Sequence, residues 1–275
     1  MVTQIILPDY FPGYPTVRLS PAASLAAIWI DCDGRLDVHR LRRVMVTYIK
    51  DQFIENLQGG FIYHDPLVRG PPDEEIEEIV RTALAKLYVF QPTTGIGLLS
   101  LIKGLPTFLS KSENRYLTIG MICIDSLTAF HHILRLQDNL SGYYVKLASA
   151  LRSLATLFNV PVITTSWALY LQPAQNQVQG RGYLGVGPSH PHSASIHRPI
   201  WRQYFPVEWL RAVDRRIILQ RKEVRRFRTE ISIVEAEMER EKRMEIVCQG
   251  AVTGWLEDDE KREFEMFIVD DGVRQ

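Results

Sequence analysis

Short apolar runs alternate along the chain with stretches whose apolar residues recur every three to four positions. That is the pattern of strands joined by crossover helices in a parallel sheet. The first run, Leu25-Ala-Ala-Ile-Trp-Ile30, ends in Asp31-Cys-Asp-Gly34. Leu41, Val44, Met45, Tyr48, Ile49 and Phe53 then mark one face of a helix. Asp73 and Glu74 open a second helix through Ile76, Ile79 and Leu84, and Leu87-Tyr-Val-Phe90 predicts a strand. The next helix, Gly97 to Leu109, is apolar on most sides, so it is expected to be buried. Ile119-Gly-Met-Ile-Cys-Ile124, closed by Asp125-Ser126, is the clearest strand. A helix through Tyr144, Leu147, Leu151 and Leu154 follows, then a turn at Asn159-Val-Pro161 and a strand at Val162-Ile-Thr-Thr165. Four strands with right-handed connections are expected.

The pattern breaks between residues 171 and 205, where Gln, Gly, Ser, His and Pro dominate. A flexible loop of that length inside a compact domain is unusual unless it is functional. Beyond it, Arg215 to Gln220 predicts a strand with charged flanks, and the charge-rich run from Ile233 to Arg243 is compatible with a helix. Phe264 to Val269 alternates like a final strand that turns at Asp271-Gly272. The expectation is one domain over residues 1–275: an α/β core over 1–170, the loop over 171–205, and C-terminal strands with a helix over 206–275.

Composition narrows the class. With 46% apolar and 23% charged residues, the chain has the profile of a globular domain, not a disordered one. No apolar run reaches the ~18 residues of a membrane span, and the first residues lack the basic n-region of a signal peptide, so no membrane partner is expected. Lys+Arg 32 against Asp+Glu 32 gives no global push toward nucleic acid. The three cysteines, Cys32, Cys123 and Cys248, fit neither a disulfide framework nor a zinc site.

In open α/β sheets ligands sit beyond the carboxyl ends of the strands. Two carboxylate clusters fall there, Asp31 with Asp33 and, after another strand, Asp125. A strand ending in Asp suits the Mg²⁺ that bridges nucleotide phosphates, and a neighbouring carboxylate suits activation of water. The alternative is that these aspartates cap turns or helices. G-x-x-x-x-G-K-[ST] is absent from the chain, so the clustered N–H groups and the lysine that hold β- and γ-phosphates are not supplied by it. Hydrolysis by this chain alone is not expected.

Other motifs are weaker. Gly180-Arg-Gly182-Tyr-Leu-Gly185 lacks the flanking strand and helix of a dinucleotide fingerprint. Asp31-Cys-Asp33-Gly34 lacks the remaining ligands of a calcium loop. His190, His192 and His197 have no Cys or carboxylate close by in sequence and read as loop. His131 and His132 open a helix and are expected to face solvent or to cap. The sequon at Asn139 means nothing without a secretory route. Eight basic residues, Arg211, Arg215, Arg216, Arg221, Lys222, Arg225, Arg226 and Arg228, are offset only by Asp214 and Glu223. They suit a DNA backbone or, alternatively, the protection of an edge strand.

Three segments together resemble the RecA-type recombinases, and among them the eukaryotic recombinase paralogues. Ile30-Asp-Cys-Asp-Gly-Arg-Leu-Asp-Val-His-Arg-Leu41 is similar to the stretch after the second core strand, and Ile122-Cys-Ile-Asp-Ser-Leu-Thr-Ala-Phe130 to the Walker B strand and its turn. Leu151 to Thr165 resembles the helix and strand that follow. The similarity runs from about residue 25 to 166 and continues weakly through Arg216 to Gln220 and Phe267 to Val273. It implies a RecA-like P-loop NTPase core, mostly parallel, with antiparallel C-terminal strands.

By position, the resemblance makes Asp125 the Walker B aspartate, holding Mg²⁺ through the nucleotide. It puts Asp33 where active recombinases carry a water-activating glutamate, one methylene longer. Thr165 and Ser166 occupy the γ-phosphate sensor positions, which are Asn-Gln in active members. ATP with Mg²⁺ is thus implied by the family, but not as a ligand this chain binds alone. Met1 to Pro8 resembles the tail of the helix after the phosphate loop, which puts the central strand and that loop upstream. The expectation is an internal start in the coding sequence as read, rather than natural loss.

The function implied is homologous-recombination repair of DNA double-strand breaks in the nucleus, as a non-hydrolysing subunit of a paralogue complex. DNA contact is expected mainly through that complex, with Arg215, Arg216, Arg221 and Arg225 as weak candidates in this chain. The alternatives are a DNA-dependent ATPase whose phosphate-loop segment lies upstream, and an unrelated α/β enzyme that uses Asp31, Asp33 and Asp125 for a metal.

Overall fold

The computed structural model describes residues 2–21, 24–59, 71–111, 118–136, 139–171, 200–203, 205–222, 232–257, 259–269 and 272–274. The chain begins with helix α1 (Val2–Ile6) and a hairpin, β1 (Tyr10–Phe11) with β2 (Tyr14–Arg18). Then come β3 (Ala26–Asp31), α2 (Val38–Gly59), α3 (Asp73–Leu84), β4 (Leu87–Phe90), α4 (Gly95–Leu109) and β5 (Ile119–Asp125). A 3-10 turn over Leu127–Phe130 leads into α5 (His131–Arg135), α6 (Leu140–Phe158) and β6 (Val162–Thr164).

β3, β4, β5 and β6 form one parallel sheet in the order β4-β3-β5-β6. The chain steps one way from β3 to β4, with α2 and α3 on one face. It then steps the other way to β5 and β6, with α4 and α6 on the opposite face. Direction and face reverse together, as crossovers of one hand require.

Both faces of this sheet are covered, which is why β3 reads as an unbroken apolar run. Ala26, Ile28 and Ile30 enter a core with Leu98, Leu147 and Leu151, while Ala27 enters a second core with Met45, Ile49 and Ile76. Ile28 and Ile30 are fully buried, each contributing about 1.5–3 kcal/mol by leaving water. The helices are terminated as their sequences dictate. α3 carries Asp73, Glu74 and Glu75 in its first turn and Arg81 in its last, matching the helix dipole. Asn139 caps α6 by accepting from the Gly142 N–H at 3.1 Å, and Asn159 closes it in the left-handed conformation.

The C-terminal third holds β7 (Ala168–Leu171), β8 (Ile200–Gln203), α7 (Val207–Ala212), β9 (Ile217–Arg221), α8 (Ile233–Cys248), β10 (Ala251–Leu256), β11 (Asp259–Val269) and β12 (Gly272–Arg274). β9 to β12 form their own antiparallel sheet in the order β12-β11-β10-β9. The molecule is thus α/β, with one parallel and one antiparallel four-stranded sheet.

Two expectations change. The loop expected over 171–205 begins and ends in strand, because β7 and β8 pair antiparallel; residues 172–199 lie outside the described residues. The helix expected over Ile233–Arg243 runs on to Cys248. In addition, Phe205 and Trp209 pack into the core of the parallel sheet, so the C-terminal part completes that core. Among the described residues no helix is long and apolar enough to cross a membrane.

Candidate functional site

The strand order reverses between β3 and β5, and the crevice at such a switch point is where open α/β sheets bind ligands. The register pairs Asp31 with Asp125 at the carboxyl ends of these two strands. The carboxylate clusters expected from the sequence therefore do converge. Their environments differ sharply.

Asp31 is buried, at 1% exposure, and serves the fold. Its carboxylate accepts from the Arg35 N–H and the Leu36 N–H, each at 3.1 Å, and from the Gln91 amide at 3.2 Å. Burial pushes its pKa up, but these donors together with the Gly34 N–H outweigh burial and hold the carboxyl below its usual range. Gly34 has φ +65°, a left-handed turn that lets the chain fold back over the carboxylate. For Asp31 the capping alternative is the correct one.

Asp33 and Asp125 are half-buried and face hydroxyls. Ser126 donates to the Asp33 carboxylate at 2.7 Å, and its hydroxyl is also 2.9 Å from that of Thr128. Thr165 donates to the Asp125 carboxylate from the end of β6. Ser166 is exposed beside it. Next comes Trp167, 61% exposed, with the Arg35 guanidinium 5.9 Å from its ring centre, within cation–π range. Asp33, Thr128, Ala129, His131, His132 and Trp167 line a cavity of about 170 Å³. Larger open grooves, of about 510 and 710 Å³, run along α6 and contain no aspartate of the strand ends.

His131 does not face solvent as expected. It is buried, with its Nδ1 3.2 Å from the Tyr144 hydroxyl and its ring 5.7 Å from that of Phe205. Burial, aided by His132 and Arg135, lowers its pKa and keeps it neutral near pH 7. Cys32 sits among the carboxylates, and burial with the charges of Asp33, Asp31 and Asp125 pushes its thiol up to about 12. It is therefore no thiolate nucleophile at neutral pH.

The basic run falls around an edge strand. Arg215 and Arg216 precede β9 and Arg221 ends it, while among the described residues β9 pairs with β10 alone. Arg216 is tied to Glu257 at 2.6 Å. Arg225 lies outside the described residues, as do Arg226 and Arg228, the Gly180–Gly185 motif and His190, His192 and His197.

The nucleotide–Mg²⁺ group implied by the family resemblance needs a carboxylate for the metal and a cradle for the triphosphate. Asp125 has the oxygen chemistry for Mg²⁺. The chain carries no G-x-x-x-x-G-K-[ST] run for the phosphates, and the donors that Asp31 accepts are taken up in its own turn. These residues do not fit a complete nucleotide site, and no hydrolytic step follows from them. Nor do they form a metal centre: among the described residues, no group of three or more His, Cys, Asp or Glu is arranged to hold an ion. No family model matches the chain, and no curated protein matches it.

Sequence reasoning found Asp33 and Asp125 because they stand at strand ends, and Thr165 only through the family resemblance. It missed Gln91, Ser126 and Trp167 as partners in the crevice. Gln91 is the first polar residue after β4, and that position was the one available signal for it.

Proposed function

We propose that this chain is a RecA-type recombinase paralogue, resembling the type called X-ray repair cross-complementing protein two. It acts in homologous-recombination repair as a non-hydrolysing subunit of a paralogue complex in the nucleus. The observation that supports this reading best is the pairing of Asp31 with Asp125 at the switch point of a parallel sheet, with Asp33 and Thr165 gathered beside them. A RecA-like core presents its Walker B and water-activating positions at that end of the sheet. The saturated Asp31, the short Asp33 and Thr165 in the sensor position fit a scaffold better than a catalyst.

The test is to recover the tagged full-length protein from cells of its source and identify what remains bound. Recombinase-family subunits should be retained, and deletion should sensitise cells to DNA crosslinking damage. A protein that neither retains such subunits nor protects against crosslinks is not a paralogue of this kind. Asp125 also keeps a second reading in play, a DNA-dependent ATPase completed by an upstream phosphate loop. In that case full-length protein binds Mg²⁺-nucleotide and Asp125→Ala abolishes the binding, whereas in the scaffold reading Asp125→Ala leaves subunit retention unchanged.

A further inference from the structure

The parallel sheet ends at β6, and that end is open. In a parallel pair, alternate residues turn their N–H and C=O groups toward the neighbouring strand. The Pro161 C=O accepts from the Ile122 N–H at 3.1 Å, and the Thr165 N–H donates to the Ile124 C=O at 3.0 Å. The odd-numbered residues of β6 therefore face β5, and Val162 and Thr164 turn two N–H donors and two C=O acceptors the other way. Among the described residues no strand pairs with that side. The edge does not stand free in water either, since Val162, Ile163 and Thr164 are all half-buried. Backbone groups in that position are costly to leave without partners, and the strands of parallel sheets are normally covered.

Strand edges that stay single are guarded by charges, prolines or bulges. β9 shows that pattern, with Arg216 before it and Arg221 at its end. β6 is Val-Ile-Thr and carries no charge. Pro161, just before it, has its missing N–H on the β5 side, so it does not guard the outer edge.

Beside this edge lies a cavity of about 350 Å³. Val160, Val162 and Thr164 line it from β6 and the turn before it, and Leu151, Ala155 and Trp209 line it from α6 and α7. Arg152 of α6 donates to the Ala212 C=O at 3.2 Å, which ties α6 to the end of α7 and fixes the wall. Cross-strand neighbours share a face of the sheet, so a strand laid along β6 points its residues level with Val162 and Thr164 into this cavity. The lining suits aliphatic side chains there. Residues Ala212 to Arg215 bound the cavity as well, which leaves room for one extended segment and not for the edge of a second folded copy.

We propose that the outer edge of β6 docks an extended segment of another protein, which joins the sheet as a fifth strand and sets two aliphatic side chains, two residues apart, in the cavity. Main-chain bonds hold such a segment, and the alternate side chains select it. The site uses none of the strand-end aspartates, so it stands independently of the recombinase reading.

Two experiments on the full-length chain test this. In the first, amide hydrogen exchange of the free protein should be slow at Ile163 and fast at Val162 and Thr164. Slow exchange at all three would mean that the chain closes its own edge, and would overturn the proposal.

In the second, phage-displayed random heptapeptides are selected on the protein. Enriched peptides should carry aliphatic residues at two alternate positions. For a synthetic copy, Thr164→Pro, which removes an outward N–H, and Ala155→Phe, which fills the cavity, should each weaken binding roughly tenfold, folding being checked by circular dichroism. Methylating the peptide nitrogens that face β6 reads the same bonds from the other side, and should weaken binding to the unaltered protein. The absence of an alternating pattern, or an affinity unchanged by Ala155→Phe or by methylation, overturns the proposal.

Discussion

Asp31 is a carboxylate whose removal is felt by backbone. Asp31→Ala leaves the Arg35 and Leu36 N–H groups and the Gln91 amide without their acceptor, and should cost about 3 kcal/mol in urea unfolding. Asp31→Asn keeps one acceptor oxygen and should cost less. Because the folded carboxyl titrates below 3.8, its contribution is complete above that pH and is lost as pH falls through the lower folded value. The acid limb of the stability profile should therefore flatten in Asp31→Asn. His131 works in another window. Its folded pKa is lowered from 6.5, so the unfolded chain takes up the proton first, and stability is lost as pH falls below 6.5 until the folded pKa is reached. The difference in stability between wild type and His131→Phe should shrink between pH 7.5 and 5.5. A difference constant over that range would mean that the ring does not titrate in this way.

Elements bounded by strong punctuation were legible in the sequence, and those whose stability comes from distant partners were not. β3, α3, β4 and β5 lie where the apolar runs and acidic starts put them. β10 was missed because Gly254 interrupts it. The structure explains that glycine, since a Cβ there would fall 2.3 Å from the Phe264 ring across the strand pair. The β1–β2 hairpin was not anticipated, because Pro12, Gly13 and Pro15 interrupt any alternating pattern, yet Phe11 and Val17 are buried. Helix α7 is one and a half turns, too short to show a period, and is held by Trp209 in the core. In the site, Asp33 and Asp125 were visible as strand ends, but the bond from Ser126 to Asp33 joins residues 93 positions apart, and no local pattern encodes it. Between α8 and β10, Gly250 has φ +59°, and a Cβ would meet the Ile268 carbonyl oxygen at 2.1 Å. Gly250→Ala should lower stability by about 3 kcal/mol, read as a fall in Tm, because strain and collision act together.

At the scale of the molecule, the two sheets divide the work. The parallel sheet is enclosed by helices on both faces and carries the crevice, whereas among the described residues the antiparallel sheet ends in β9, flanked by Arg216 and Arg221. For the scaffold role proposed above, Asp125→Ala should leave subunit retention unchanged, as read by co-purification of the tagged full-length protein. The crevice has a further property. Among the described side chains of the crevice, the Asp31 carboxylate is the one that accepts from backbone N–H groups, whereas the Asp33 and Asp125 carboxylates accept from hydroxyls at the rim. What a catalyst needs here is separable from what the shape needs. Rim side chains can therefore be exchanged without loosening the turn that Asp31 holds, so the end of the sheet keeps its shape through changes that alter its chemistry.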